Sequence, residues 1–364
     1  MRGSVWLLAG LLLVTAGCLG MDHEDTETAQ AFDDEEAQPT ATNGSTTTTD
    51  EDDGGDAPSA QEGPPERGLA EPPGLVDGEW WTVEIASSFT GLETQATIVK
   101  AGGHGDRYMM GMPDSEFISE AVLLHLPPHG PVEKGSLGYP VHDNVFRPLS
   151  FPLEEGRTWE TAWTNGGLEA EVVEANPDEG QAVVEMGGDG GNVTVTYDAE
   201  IGYPSSIEIE GYGGYEVVDH GYDYDGDVHI PWNPEVAFFS GRIAGAFDTG
   251  LNPATPSESV EVSDSHDEAV VALLLGNVFG GSPGHYEASA TDPDGNTLEA
   301  THTVTPGGSS FLVEDAVVED PGGTWEMEYV AGGAGIAAAE GIAYEAHHVV
   351  MEDGEMQGMM RMDG

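Results

Sequence analysis

Between residues 76 and 350, apolar and polar residues alternate in short runs, and this two-residue period constrains the fold more than any other feature. The run "WWTVEIA" places Trp81, Val83 and Ile85 on one face, and "NVTVTYD" and "SSIEIEG" repeat the pattern. A period of two is that of a β-strand, because successive side chains point to opposite faces. Clusters such as "AGGHGD" and "GGDGG" separate the runs as turns do. The chain is therefore predicted to be mainly β.

One segment departs from this period and is helical by pattern. In "SEFISEAVLLHL", Ala121 and Leu124 share one helical face, and Pro127 and its successor would end the helix. We predict a single short helix over residues 115–126. For residues 76–232 as a whole we predict an antiparallel curved sheet of about eight strands that carries this helix.

After residue 233 the apolar runs become shorter and lie closer together. There are eight of them: "GRIAGAF", "ESVEVSD", "EAVVALLLGN", "HYEASATD", "LEATHTVT", "SFLVEDA", "TWEMEYV" and "GIAYEAHHVV". Short strands at this spacing are typical of a β-sandwich. "EAVVALLLGN" has a periodicity that also fits a helix, but its length and the flanking Asp267 and Gly276 favour a buried strand. We predict a jelly-roll-like β-sandwich over residues 233–350.

Two stretches carry resemblances to known domains. "TDPDGNT" and "DPGGTWEMEYVAGGAG" resemble the late strands of pre-peptidase C-terminal β-sandwiches, which are appended to secreted proteins. "YDAEIGYPSSIEI" resembles a segment of curved-sheet lipoprotein carriers. The second resemblance implies an apolar cavity within residues 76–230, beside the predicted helix.

The first residues have the layout of an export signal. Arg2 precedes an apolar run that is too short to span a bilayer, and the small residues "TAG" lead into Cys18. This stretch resembles the lipobox of prokaryotic lipoproteins, in which the cysteine becomes the lipid-bearing N-terminus. The resemblance implies a signal peptide over residues 1–17 and lipid attachment at Cys18. It also implies a protein anchored by lipid at the extracellular face of the cell membrane.

A polar tract follows the cysteine. Residues 21–68 contain no Leu, Ile or Val before Leu69 and are rich in Thr, Pro and carboxylates. Such a composition cannot bury a core, so residues 18–75 are predicted to form a disordered acidic stalk. The sequons that begin at Asn43 and Asn192 are candidate N-glycosylation sites.

The acidic excess runs along the whole chain. There are 68 Asp and Glu residues against 9 Lys and Arg, which gives a formal net charge of −59. Such a charge repels itself at low ionic strength and is screened at molar salt. With so little lysine, the composition resembles secreted proteins of extremely halophilic archaea. Nucleic acid is excluded as a partner because its phosphates would be repelled. Since Cys18 is the only cysteine, disulfides and zinc–thiolate sites are excluded as well.

The stretch "DHGYDYDGDVH" is a candidate calcium site. Asp223, Asp225 and Asp227 alternate around a turn and could supply oxygen ligands to Ca²⁺, and His220 and His229 flank them. The stretch lacks the loop length and the terminal Glu of an EF-hand. A hydrated hairpin tip is the alternative interpretation.

The chain end offers soft ligands for Cu⁺. Imidazoles and thioethers of the kind that Cu⁺ prefers are concentrated there. The residues concerned are His347, His348, Met351, Met356, Met359, Met360 and Met362. A second methionine group lies in "DRYMMGMPD". Methionine also fills gaps in cores, and residues 351–364 are predicted to be a flexible tail.

No motif names a reaction. G-x-S-x-G and H-E-x-x-H are absent from the sequence, so catalysis is unsupported. Among the aromatic residues that could form a surface for glycan stacking, Tyr212, Tyr215, Tyr222 and Tyr224 are the set expected to be exposed. We therefore expect a lipid-anchored, non-catalytic protein that binds an apolar or glycan ligand or serves as an accessory module. Copper or calcium binding outside the membrane is one alternative, and a structural role in the cell envelope is another.

Overall fold

The structure is a computed structural model. It describes residues 66–87, 93–113, 119–142, 144–164, 166–189, 191–244, 257–277, 283–305, 310–333 and 335–361. Cys18, Asn43, the predicted signal peptide and nearly all of the predicted stalk lie outside these residues.

The described chain is almost all β. The elements in chain order are β1 (Glu79–Ala86), β2 (Glu93–His104), β3 (Arg107–Pro113), α1 (Ser119–Leu124), β4 (Gly130–Glu133), β5 (Tyr139–Val141), β6 (Asn144–Phe146), β7 (Thr158–Trp163), β8 (Gly166–Asn176), β9 (Gln181–Gly188), β10 (Gly191–Asp198), β11 (Tyr203–Ile209), β12 (Gly213–Gly221), β13 (Gly226–Ala244), β14 (Ser257–Val262), β15 (Glu268–Gly276), β16 (Gly284–Thr291), β17 (Thr297–Val304), β18 (Phe311–Glu319), β19 (Gly323–Gly332), β20 (Gly335–Glu352) and β21 (Glu355–Arg361). The prediction of a mainly β chain is confirmed.

Three open antiparallel sheets contain these strands. The largest has 15 strands in the order β18-β15-β20-β13-β3-β2-β1-β12-β11-β10-β9-β8-β7, with β21 paired to β20 and β4 paired to β3. A four-stranded sheet has the order β14-β19-β16-β17, and β5 pairs with β6. The large sheet therefore contains strands from both halves of the chain.

The first core lies against one face of the large sheet. Trp81 is fully buried and stacks on Tyr203, with ring centroids 4.6 Å apart. Its indole N–H donates to the carbonyl of Ile201 at 2.9 Å. Such a ring combines a large buried apolar area with one satisfied polar atom. Ala121, Val122 and Leu124 of α1 belong to the same core.

The second core is that of a β-sandwich. Alternate residues of β15, such as Leu273 and Leu275, pack with Tyr286 of β16 and Trp325 of β19. The β18-β15-β20-β13 part of the large sheet thus lies over the four-stranded sheet. Val270, on the other face of β15, belongs to the first core. Burial on both faces explains the unbroken apolar run "EAVVALLLG", and the prediction of a buried strand there is confirmed.

The helix is shorter than the predicted span of 115–126. It ends at Leu124, because His125 adopts a left-handed conformation with φ of 52° before the two prolines. Residues 114–118 lie outside the described part. Within that part, no helix has the length and apolar character that crossing a bilayer requires. The strand count also differs, since twelve strands rather than about eight precede β13 among the described residues.

The predicted junction near residue 232 falls inside a strand. β13 pairs with β20 along most of its length, and the register shifts between Trp232 and Glu235. Asn233 there has a positive φ of 49°. The chain thus passes from the first core to the sandwich along one irregular strand, and the division into two domains stays a prediction.

The chain end differs from the predicted flexible tail. Residues Glu355–Arg361 form β21, which pairs antiparallel with β20. Asp353 and Gly354 both have positive φ and join the two strands. Two such residues in succession form the tight turn that matches the twist of a β-hairpin.

Candidate metal centre

Three neighbouring strands bring four polar side chains to one face of the large sheet. His229 of β13 lies directly opposite His348 of β20. Further along β20, Tyr344 lies opposite Glu268 at the start of β15. Directly opposed residues of an antiparallel pair project from the same face, and His348 and Tyr344 are an even number of residues apart. All four side chains therefore project from the face that covers the first core.

The side chains of this group converge. One ligand atom from each of His229, Glu268 and His348 lies within 4.8 Å of the other two. The Nε2 atom of His229 is 3.2 Å from a carboxylate oxygen of Glu268. The two imidazole rings meet edge to face, with centroids 4.6 Å apart. Among the described residues, this is the one group of three His or carboxylate side chains placed closely enough to hold a metal ion.

The environment keeps the carboxyl group ionised. Burial by itself would raise the pKa of Glu268, but the interactions of its carboxylate with His229, Tyr344 and His348 together outweigh burial, and the pKa lies below its usual range. The Tyr344 hydroxyl adds to this effect by donating to Glu268 at 3.0 Å. Glu268 and His229 are both buried, whereas His348 is half-buried. A cation could therefore approach from the side of His348.

Two imidazoles and one carboxylate are a common protein ligand set for divalent transition metals. At metal–ligand distances of about 2.1 Å, tetrahedral ligand atoms lie about 3.4 Å apart. The group would contract by roughly 1 Å to reach that geometry. Tyr344 would remain as an outer partner that orients Glu268, and three protein ligands would leave one position open.

The carboxylates of the predicted calcium site do not converge. Asp223, Asp225 and Asp227 are all exposed, and they form no close group of three. The backbone of their loop is tied to other turns, since the Tyr224 N–H donates to the Gly78 carbonyl and the Gly354 N–H donates to the Tyr224 carbonyl. The loop joins β12 to β13, which are not paired with each other, so it is not a hairpin tip.

The predicted copper ligands lie on both faces of the β20–β21 hairpin. His348 and Met360 are directly opposed, on the face of the candidate centre. His347 projects from the other face and contacts Trp232, with ring centroids 5.9 Å apart. Three methionines lie on that second face: Met351 is buried opposite Met356, and Met359 is opposite Val349. Met362 lies outside the described residues. The hairpin therefore does not bring all these residues into one cluster.

The predicted surface tyrosines are not exposed. Tyr215 is buried in the first core, and Tyr212 packs edge-on against Trp163 with ring centroids 5.9 Å apart. Tyr222 and Tyr224 are half-buried. The alternation of β12 directs Tyr215 inward, which explains the difference. Asn192 is exposed, as a glycosylated residue must be, and its modification stays a prediction.

Neither Glu268 nor His229 is predicted as a metal ligand from the sequence alone. His229 was visible only as a flank of the Asp-rich stretch. Glu268 is one of 68 acidic residues, and nothing near it in sequence marks it. Its partners lie about 40 residues before it and 80 after it and meet it only through strand pairing.

Neither a protein-family model nor a curated protein matches this chain. Among solved structures, the tailspike protein 4 domain of bacteriophage CBA120 is similar at 12% identity and a TM-score of 0.17. That match covers 32% of this chain and 19% of the tailspike chain, so the present chain spans about a fifth of it. An exo-β-1,3-galactanase of Phanerochaete chrysosporium is similar at 9% identity and a TM-score of 0.18, covering 72% and 68% of the two chains. The infectious bursal disease virus structure of the Gx strain has 10% identity and a TM-score of 0.18, covering 74% and 69%. Likenesses this distant carry no argument about activity.

Proposed function

We propose that this chain binds one divalent transition-metal ion of the Zn²⁺ type at His229, Glu268 and His348. The convergence of the three ligand atoms within 4.8 Å on one sheet face supports the proposal. Imidazole ligands favour transition metals over Ca²⁺, which prefers a shell of oxygens. The proposal concerns binding and contains no catalytic step.

The cellular location of this site is inferred from the sequence. If Cys18 carries a lipid, the metal centre is held outside the membrane on a long acidic stalk. A chain with a net charge of −59 also attracts cations to its surface, which raises their local concentration near the site. We therefore propose a lipid-anchored extracytoplasmic metal-binding protein of a halophile. The carrier and envelope functions stay predictions that no observation of the described residues favours.

Titration of the full-length protein with Co²⁺ tests the binding site. Co²⁺ is a spectroscopic probe for Zn²⁺ sites, and molar salt suppresses loose binding to the many surface carboxylates. We expect one equivalent to bind with the absorption bands of a low-coordinate ion. The variants His229→Ala and His348→Ala should each weaken binding at least about 100-fold, since loss of an outer partner alone costs 10–100-fold.

A matched control separates this site from the acidic surface. His285 is an exposed histidine of β16 beside Glu287, so His285→Ala removes an imidazole–carboxylate pair elsewhere. This variant should bind Co²⁺ like the wild type. Glu268→Gln keeps the shape of the side chain and should lower affinity without unfolding the protein, which circular dichroism checks. Equal Co²⁺ affinity in the wild type, His348→Ala and Glu268→Gln would overturn the proposal.

A further inference from the structure

The candidate centre lies in the middle of a longer row of metal-ligating side chains. On β21, Met360 is directly opposite His348. His348 is opposite His229 on β13, and His229 is opposite Met112 on β3. The row Met112–His229–His348–Met360 thus crosses four adjacent strands. Directly opposed side chains have Cβ atoms about 5 Å apart and share one face. Both imidazoles therefore have a thioether as a neighbour.

Burial along this row falls steadily from the core to the solvent. Met112 is fully buried, whereas Met360 is 63% exposed. His229 is buried and His348 half-buried between them. The row thus connects the surface to the interior along one line, with a soft ligand at each end.

Exposed thioethers are concentrated on this hairpin. Three of the eight large hydrophobic residues that are exposed in the described part are methionines, and all three lie on β21: Met356, Met359 and Met360. Core packing does not explain an apolar side chain that is exposed to solvent. Met360 differs from the other two because the strand pairing places it beside His348.

We propose that the same centre also binds Cu⁺, with His229 and His348 retained and the thioether of Met360 replacing the carboxylate of Glu268. This inference rests on the proposed function and extends it to a second class of ion. Cu⁺ prefers thioether and imidazole ligands, whereas an ionised carboxylate suits a divalent ion better. The flexible side chain of Met360 can move toward an ion held by the two histidines without a change in the backbone.

Because the two ligand sets share only the histidine pair, a substitution outside that pair should weaken the binding of one ion and not of the other. Met360→Leu keeps the size and apolar character of the side chain but removes the sulfur. Glu268→Gln keeps the shape of the side chain but removes the charge. Met360→Leu should weaken Cu⁺ binding at least about tenfold and leave Co²⁺ binding unchanged. Glu268→Gln should weaken Co²⁺ binding and leave Cu⁺ binding nearly unchanged.

Met359→Leu is the matched control, because Met359 lies on the same strand opposite Val349 and projects from the other face. It should bind both ions like the wild type. Cu⁺ affinity is measured under argon on the full-length protein by competition with a chromophoric Cu⁺ chelator. Sodium sulfate supplies the ionic strength, since chloride would compete for Cu⁺. X-ray absorption of the Cu⁺-loaded protein should show sulfur bound to copper, and this signal should diminish in Met360→Leu.

The outcomes separate the two proposals. If the wild type binds Co²⁺ at the histidines but Met360→Leu and Met359→Leu bind Cu⁺ equally well, the thioether inference is wrong and the proposed function stands. If neither ion shows affinity that depends on His229 and His348, both proposals are wrong. Copper bound without any sulfur neighbour would likewise overturn the thioether inference.

Discussion

Glu340 is a carboxylic acid on the core-facing side of β20. Its directly opposed neighbours on the adjacent strands are Phe239 and Ala272, which offer it no polar group in their side chains. Burial raises the pKa of Glu340 from 4.5 to about 7. The sequence could not have singled out this residue, because its apolar surroundings arise only when β13, β15 and β20 pair.

The raised pKa of Glu340 predicts a loss of stability as the pH rises. Between about pH 4.5 and pH 7 the unfolded chain ionises at this position while the folded protein stays neutral. The contribution is therefore fully present below pH 4.5 and is lost as the pH passes about 7. The expected loss is at most about 3 kcal/mol. Glu340→Gln should remove this dependence, so that the variant is more stable than the wild type at pH 8 but not at pH 4.5.

Urea unfolding at the two pH values in molar salt measures this difference. Glu299 is an exposed residue of β17, and Glu299→Gln provides a control for loss of one surface charge. If Glu340→Gln and Glu299→Gln shift the free energy of unfolding equally at both pH values, burial of Glu340 has no such effect.

Two arginines of the described part are placed against carboxylates. Arg67 donates two hydrogen bonds to Glu79, at 2.6 and 2.7 Å, and Glu79 is fully buried. Arg147 binds Glu133 in the same two-pronged manner on the surface. Two hydrogen bonds from one side chain to one carboxylate match the planar guanidinium group of arginine. The count of 9 cations is visible in the sequence, but these pairings depend on contacts between segments.

At the scale of the element, the β20–β21 hairpin shows where sequence interpretation went wrong. The pattern Asp-Gly at Asp353 and Gly354 is a strong hairpin signal, but the methionine content and the position at the chain end favoured a flexible tail. The error mattered for the candidate centre, since the hairpin places Met360 beside His348. Strands with clear alternation, such as β1 and β10, were by contrast predicted correctly from local pattern alone.

Gly354 tests whether this hairpin depends on its turn. Its φ is +76°, and a Cβ atom there would lie 2.9 Å from the Cα of Asp223. Gly354→Ala should therefore lower the free energy of unfolding by about 2 kcal/mol, through the left-handed backbone and the crowded contact. Gly358, in β21, has nothing within 4 Å of such an atom, and Gly358→Ala should change stability by less than about 0.5 kcal/mol. Equal effects of the two substitutions in chemical unfolding would contradict the structure of the turn.

At the scale of the whole molecule, the alternating pattern was sufficient for the fold class but not for the pairing of strands. All eight runs predicted after residue 233 contain or form strands, and a sandwich results. The connection between the halves was not predictable, because β13 meets β3 through residues such as Val228 and Pro113 that are distant in sequence. The candidate centre depends on the same long-range pairings, so its histidines and Glu268 could be assembled only from the structure.

The net charge of −59 leads to a prediction about the entire fold. At an ionic strength of about 0.1 M the Debye length is near 10 Å, so charges on neighbouring strands repel one another. At about 1 M it falls to about 3 Å, and the repulsion is largely screened. The protein should therefore be folded in molar KCl and unfold as the salt is removed. Trp81 and Trp325 are almost fully buried, so tryptophan fluorescence should shift to longer wavelength on unfolding.

Two solutes distinguish charge screening from a general effect on hydration. MgCl₂ should restore the folded signal at a much lower concentration than KCl, because divalent cations screen carboxylates more strongly. Sucrose at a matched water activity stabilises compact states by exclusion from the surface and does not screen charge, so it should restore little of the signal. Full rescue by sucrose, or an unchanged melting temperature between 0.1 M and 1 M KCl, would show that self-repulsion does not limit this fold.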